Sequence, residues 1–296
     1  MRTATRRSRV ARFWAALAAF VVVPATLAVS TASAGAAASN TLTVKAGEYT
    51  YVLKGSPKAG WVEINFQNPG VEDHMMAVFK LKPGTTNAAL KKAILSNDQN
   101  ALEKIAAPGG DPTVYGTPSL LSSKASTTTM TKLAAGTYGM VCFIPAPDGS
   151  PHAAHGMYKV FKVSGKSNAK PPTDGVSEVT ITDSEVTLPS SGLPAHGWVK
   201  VTNNSSVGRD ATLAKYASAD TTFDQANAYF NEFFSSGTVP EGTAPATLEG
   251  GIGGLQPGGT GYFELDAENG RYVLVASNQD VDDNDPNPLH AEFEVG

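Results

Sequence analysis

Residues that commonly bind soft or borderline metal ions are concentrated in one short segment of this chain. The only cysteine, Cys142, is followed by His152, His155 and Met157, and a further histidine, His74, lies far upstream. A thiolate, two imidazoles and a weak thioether suit both Cu(I) and Cu(II), so such a site changes oxidation state with little rearrangement. Taken singly, Cys142 would be a buried small side chain and His74 a surface or capping residue. Together they predict a metal site.

The elements that must position these residues are predicted to be short strands. Residues 61–66 alternate between two faces, and similar alternating segments are bounded by Gly, Pro and Asn. Glycine (29) and proline (19) are frequent, which favours turns over long helices. These patterns predict an antiparallel β-sandwich. Helical spacing of apolar residues predicts one helix over 87–105 and another over 223–234, whose aromatic stripe is interpreted as core packing.

The sequence also repeats itself. Residues 42–50 resemble 179–187, and residues 60–65 match 197–202 at the same offset. Two later pairs of segments follow in the same order: 136–141 with 270–275, and 159–163 with 291–295. We therefore predict two tandem copies of one domain, at 40–164 and 176–296, joined by a polar, proline-containing linker at 165–175.

The first copy resembles the cupredoxins, the blue (type 1) copper proteins. Their pattern is an early His near a strand, then Cys, His and Met around the final loop, and here it falls on His74, Cys142, His152 and Met157. The resemblance covers most of residues 40–164. It implies a Greek-key β-sandwich with one copper ion, in which His74, Cys142 and His152 are equatorial ligands and Met157 is axial. His155 is a substitute ligand, because the gap between His152 and Met157 is the one common in such loops.

The loop of the first copy departs from the family in one respect. Ten positions separate Cys142 from His152, whereas the family usually places this His much closer. The insert at 145–151 is rich in Pro and turn-forming residues, so we expect it to double back. It leaves His155 as a fourth or substitute ligand.

The second copy is expected to keep the fold and lack the site. An alignment through Val71 and Val207 places non-ligand residues at the ligand positions: Asp210 for His74, Ala276 for Cys142 and Leu289 for Met157. The second copy is therefore predicted to be structural, a docking surface, or a binder of a ligand that the sequence does not identify. Four aspartates between 280 and 285 are interpreted as a solvated turn, and the glycine-rich run 250–254 as a flexible turn.

The N-terminus predicts export. Residues 1–34 contain five arginines, an apolar run over 13–29 and the small-residue cleavage pattern Ala32-Ser33-Ala34. Because all five charges in this segment are arginine, cleavage near Ala34 changes the net charge from −4 to −9. We expect a secreted or extracytoplasmic protein without a stable membrane span. The absence of a Lys/Arg surplus argues against nucleic-acid binding, and a single cysteine excludes a disulfide scaffold.

The favoured function is a one-electron carrier that holds one copper ion per chain and exchanges electrons with a redox partner protein. One alternative is an extracytoplasmic Cu(I) carrier or buffer that also uses Met75 and Met76, since soft sulfur ligands suit Cu(I). Another is a metal-free cupredoxin-like interaction module. An enzyme is not expected: five histidines without a His-x-His pair are few for the second copper centre of a multicopper oxidase.

Overall fold

A computed structural model describes residues 40–96, 98, 100–108, 116–278 and 287–296. The predicted signal segment and the four aspartates between 280 and 285 lie outside these residues. The described residues belong to a unit that spans Ala37–Gly296. Within them, no helix is long and apolar enough to cross a membrane.

The first half of the described chain consists of eight strands and three short helices. In chain order they are β1 (Thr41–Gly47), β2 (Thr50–Lys54), β3 (Gly60–Gln67), β4 (Ala77–Leu81), α1 (Asn87–Ile94), α2 (Ala101–Ile105), β5 (Thr117–Pro118), β6 (Ser126–Leu133), β7 (Gly136–Val141), α3 (His152–His155) and β8 (Tyr158–Val163).

The second half contains eight more described strands and one longer helix. They are β9 (Ser177–Ile181), β10 (Val186–Thr187), β11 (His196–Asn203), β12 (Arg209–Tyr216), α4 (Phe223–Ser236), β13 (Ala246–Leu255), β14 (Thr260–Asp266), β15 (Gly270–Ala276) and β16 (Leu289–Val295).

The two halves share their strand order in one sheet, and in the other the order β4-β7-β8 recurs as β12-β15-β16 with β13 added. The order β2-β1-β3-β6 recurs as β10-β9-β11-β14, and the antiparallel pairing of β14 with β6 joins these into one eight-stranded sheet. The second layer is β4-β7-β8 in the first half and β16-β15-β12-β13 in the second, where β5 of the first half adds a fifth strand. The predicted fold class is confirmed: the protein is all-β, with cupredoxin-like sandwiches and short helical insertions.

The strand registers of the two halves also correspond. The parallel pairs β1–β3 and β9–β11 place Leu42 opposite Ile64 and Val179 opposite Val201. All four side chains are buried, because one face of each strand faces the interior of its sandwich. Each half thus encloses a core of its own. The domain boundaries at 40–164 and 176–296 stay a prediction.

The first predicted helix is two helices rather than one. α1 ends at Ile94, and Leu95, which the helical spacing had placed on the apolar stripe, is 52% exposed. The reason lies in the polar residues that follow. Ser96 Oγ accepts from the N–H of Asp98 and Asp98 Oδ1 accepts from the N–H of Asn100, so side chains compete for the backbone there. α2 then starts at Ala101.

The second predicted helix, α4, is present and runs two residues beyond its predicted end. Thr222 and Gln225 form a capping box at its start, and Gly237 ends it in the left-handed conformation. Phe233 is buried in the core of the first half, so α4 links the two halves. The other phenylalanines of the stripe, Phe223, Phe230 and Phe234, are only partly buried.

The glycine run 250–254 is part of strand β13 and not a flexible turn. Gly250 and Gly251 have φ of 94° and 89°, and the register of β13 against β12 shifts next to them. A Cβ on Gly251 would lie 2.2 Å from the carbonyl oxygen of Ala211. These glycines therefore allow two backbones to approach in a bulged strand, a role that composition alone does not reveal.

Candidate metal centre

Cys142 is held at the end of the central strand of the smaller sheet. It directly follows β7, which pairs with β4 on one side and β8 on the other. Its N–H donates to the carbonyl oxygen of Met157 at 3.1 Å, and its own carbonyl accepts from the N–H of Ala153 at 3.0 Å. The thiol is fully buried. The sheet therefore fixes both the position and the direction of the sulfur.

The long insert between Cys142 and His152 folds back on itself. Pro145 and Pro151 form an antiparallel bridge, and the N–H of Ala146 donates to Ser150 at 2.7 Å. Gly149 makes the turn with φ of 80°. This small closed loop projects away from the site, so the N–H of His152 returns to the carbonyl of Ile144 at 2.8 Å. The insert thus returns His152 to the strand end at Cys142.

His74 reaches the same place from the segment before β4. Its N–H and carbonyl pair with those of Leu121 at 2.9 and 2.8 Å. The buried side chain of Asn68 supports this segment, because its Nδ2 donates to the carbonyls of Glu72 and Leu121. Backbone pairing on one side and an amide brace on the other therefore fix where the imidazole points.

The structure brings His74, Cys142 and His152 together. The two Nδ1 atoms lie 3.1 Å apart, and Cys142 Sγ lies 3.5 Å from His152 Nδ1. One ligand atom from each of the three falls within 4.8 Å of the others, and all three residues are 0% exposed. Three metal-ligating side chains therefore converge on one enclosed point.

Met157 and His155 lie differently with respect to this group. Met157 is fully buried in the core cluster that contains Cys142, and its N–H donates to the carbonyl of His152 at 3.1 Å. His155 points to the outside, where its Nε2 lies 2.8 Å from Ser150 Oγ and 3.2 Å from an Asp148 carboxylate oxygen. His155 therefore binds residues of the insert and lies outside the His–Cys–His group.

Burial keeps the three converging groups uncharged at neutral pH. It lowers the pKa of His74 to about 4, an effect that the nearby His152 strengthens and Glu48 opposes. Burial also lowers the pKa of His152, against the opposite influence of Glu72. It raises the pKa of the Cys142 thiol to about 11. Both imidazoles therefore offer lone pairs, whereas the thiol must lose a proton before it can bind a metal ion.

The donor set fits a copper ion. A separation of 3.1 Å between the two Nδ1 atoms is less than two metal–nitrogen bonds of about 2.0–2.1 Å each, so one ion can reach both. His74 Nε2 is buried with no hydrogen-bond partner in the described part of the chain, a cost of burial that the fold bears at this site. Two imidazoles and a thiolate, with a thioether nearby, form the combination that accommodates both copper oxidation states.

Three residues that the sequence analysis did not single out surround the group. Glu72 Oε2 lies 2.8 Å from His152 Nε2, and Tyr49 packs its ring edge-on against His152 while its hydroxyl donates to Glu72. Tyr51 is buried beside Cys142 and donates to the carbonyl of Met75. The position of Glu72 two residues before His74 does not indicate this contact, because the carboxylate lies against His152, which is distant in the chain. Nothing in the sequence pattern singles out either tyrosine.

In the second half, Arg209 stands where His74 stands in the first. Asn203 donates to the carbonyl of Val207 as Asn68 does to that of Glu72, and Lys215 lies opposite Tyr272 as Lys80 does opposite Tyr138. Both the Asn68–Asn203 pair and the Lys80–Lys215 pair align His74 with Arg209 and not with Asp210. The alignment through Val71 and Val207 was therefore wrong by one residue.

The guanidinium of Arg209 extends towards the counterpart of the thiol position. Its Nη1 donates to the carbonyl of Ala276, which matches Cys142, and its Nε donates to Ser205 Oγ. Arg209 is 7% exposed. A buried cation therefore lies in the second half where the first half has a neutral imidazole.

The chain is similar to solved structures of copper proteins at low identity. An auracyanin from Roseiflexus castenholzii is 23% identical, over 43% of this chain and 99% of its own, with a TM-score of 0.27. Auracyanin A from Chloroflexus aurantiacus, a "blue" copper protein, is 22% identical over 42% and 99%, with a TM-score of 0.26. A multicopper oxidase is 13% identical over 86% and 88%, with a TM-score of 0.23. These likenesses concern the fold alone. No family model and no curated protein matches the chain.

Proposed function

We propose that this chain is an exported copper protein that carries one electron. One copper ion per chain would be held by His74, Cys142, His152 and Met157. The observation that carries the proposal is the buried convergence of two imidazole Nδ1 atoms and the Cys142 sulfur within 4.8 Å. Copper, when bound, supplies one-electron oxidation and reduction, and a redox partner protein would deliver and remove the electron.

The backbone around the site supports a carrier role. The proposed ligands are hydrogen-bonded to each other through their main chains: Cys142 to Met157, and Met157 to His152. Because each ligand restrains the next, their positions change little when the charge of the site changes. Low rearrangement is what electron transfer requires, whereas delivery of copper to another protein requires ligands that open. The closed, fully buried group therefore favours the electron carrier over a Cu(I) carrier or buffer.

The second half is proposed to be structural. Three features pack the second half against the first. Strand β13 pairs with β5 of the first half, the two halves share the eight-stranded sheet, and Phe233 of α4 lies in the core of the first half. Arg209 stands in place of a ligand, and we infer that no copper binds there. The proposed role is that of a carrier and not of an enzyme.

The test is a copper titration of the mature chain, monitored by its visible spectrum. We expect one equivalent of Cu(II) to produce an intense absorption from copper–thiolate charge transfer, and a Cys142→Ser variant to remain folded without this band. A folded, fully loaded and oxidised protein that lacks the band would contradict the electron carrier. A colourless Cu(I) complex from which a chelator readily removes the copper would identify a copper carrier. If the protein binds no copper at all, it would be a metal-free module.

A further inference from the structure

A cleft of about 510 Å³ opens between the two halves, next to the candidate metal centre. Its wall in the first half includes Met75 and Phe143, each of which directly follows a member of the His–Cys–His group in the chain. Its wall in the second half is formed by one face of α4 and by residues of β12, β13 and β15. Residues of both halves therefore form the cleft.

Aromatic rings and amide groups line this cleft. α4 contributes Phe223, Phe230 and Phe234, together with Asn227 and Asn231. Positions 223, 227, 230 and 234 recur every three or four residues, and Asn231 lies beside Phe230, so all five share one face of the helix. Phe143, which is 43% exposed, adds a fourth ring from the first half. Rings with polar groups set between them are typical of sites that bind flat organic molecules.

The charge of the lining restricts the ligand further. Asp210 is the one charged residue among the described residues of the lining, which include no Lys, Arg or His. Asp210 Oδ1 accepts from the N–H of Gly254 at 2.7 Å, which holds the carboxylate in place. Among the described residues of the lining, an anionic ligand would meet no cationic side chain and would meet the carboxylate of Asp210. A ligand with an O–H or N–H group would find carboxylate and amide oxygens as acceptors.

We propose that this cleft binds a small aromatic molecule that carries a hydroxyl or amino donor and no negative charge. Its volume falls within the range of roughly 300–1,000 Å³ that is usual for small-molecule sites. The proposal does not depend on the metal, because none of the proposed copper ligands lines the cleft. Binding is expected in metal-free protein and in the Cys142→Ser variant as well, so it can fail or succeed independently of the proposed function.

The experiment is a calorimetric titration of the mature, metal-free chain with 2-naphthol, and with 2-naphthoate as the anionic analogue of the same ring system. We expect one 2-naphthol per chain and at least tenfold weaker binding of 2-naphthoate. Methyl NMR should place the largest shift changes at Met75, Leu120, Leu248 and Val275, which line the cleft. Equal binding of the two compounds, no binding of 2-naphthol, or shift changes elsewhere would overturn the proposal.

Variants of one phenylalanine sharpen the test. Phe230→Ala should weaken 2-naphthol binding at least tenfold, and the milder Phe230→Leu, which keeps most of the apolar volume, at least threefold. Val239→Ala is the matched control, because Val239 is apolar, 69% exposed and outside the cleft. It should bind 2-naphthol as the parent chain does. Unchanged affinity in a folded Phe230→Leu protein would contradict the site even if Phe230→Ala did not fold.

Discussion

The Nδ1 atoms of His74 and His152 lie 3.1 Å apart although 78 positions separate the two residues in the chain. At this distance the two neutral rings can share one N–H···N hydrogen bond, and a metal ion bound by both Nδ1 atoms would replace it. The arrangement is reached from two directions, by backbone pairing of His74 with Leu121 and by the return of the insert to Ile144. The fold itself therefore brings the two nitrogens together, as binding of one metal ion by both would require.

This relationship distinguishes the two histidines of the final loop. We predict that His152→Ala abolishes stoichiometric copper binding, whereas His155→Ala binds copper with an affinity within about threefold of the parent chain. Among the described residues, the side chain of His155 has its polar and ring contacts with Ser150, Asp148 and Tyr49. Copper titrations of the two variants check this. Loss of binding in His155→Ala with retention in His152→Ala would reverse the assignment.

Glu72 is predicted to position the imidazole of His152. A carboxylate 2.8 Å from Nε2 fixes the ring and favours the tautomer that leaves Nδ1 for the metal. Glu72→Gln should weaken copper binding about 10–100-fold, the usual effect of removing such a partner. Chelator competition measures the affinity, and Glu103→Gln on the exposed face of α2 is the control. Equal affinities of the two variants would show that Glu72 does not act on the metal through His152.

Copper binding is predicted to release a proton from Cys142. Burial raises the pKa of this thiol to about 11, so at pH 7 it is protonated, whereas the His74 imidazole, with a pKa of about 4, is already neutral. The apparent copper affinity should therefore rise about tenfold per pH unit between about pH 6 and 10, after correction for the chelator. Cys142→Ser should lose this slope. A pH-independent affinity in the parent chain would mean that the thiol is not a ligand.

The sequence predicted the strands better than the connections between them. Alternation in β3 separated Val62, Ile64 and Phe66 from the residues between them, and the structure buries these three because one face of the sheet is covered. The group of His74, Cys142 and His152 was also predictable, since few other roles bring those residue types together in that order. The insert was harder to predict, because its path depends on a bridge between two prolines and not on periodicity.

The remaining errors came from features that only packing determines. Arg209 was missed because an arginine next to an aspartate is expected to be exposed to solvent. The alignment becomes clear only from the equivalent hydrogen bonds of Asn68 and Asn203 in the structure. Glu72 and Tyr49 contact His152 through side chains that no periodicity connects. The glycines of β13 were interpreted as a turn because glycine is common in turns, whereas here it permits contact between backbones.

The last prediction concerns that contact. Gly251→Ala should destabilise the protein by about 3–5 kcal/mol, because the new methyl group would meet the carbonyl of Ala211 while the residue stays at positive φ. Gly258→Ala is the matched control: its φ of 76° is also positive, but no atom lies within 4 Å of the added Cβ. That variant should lose only about 1–2 kcal/mol, the cost of the left-handed conformation alone. Urea unfolding followed by the fluorescence of Trp61 and Trp198, one in each half, measures both changes. If the two variants lose equal stability, Gly251 does not lie against the carbonyl of Ala211 in β12.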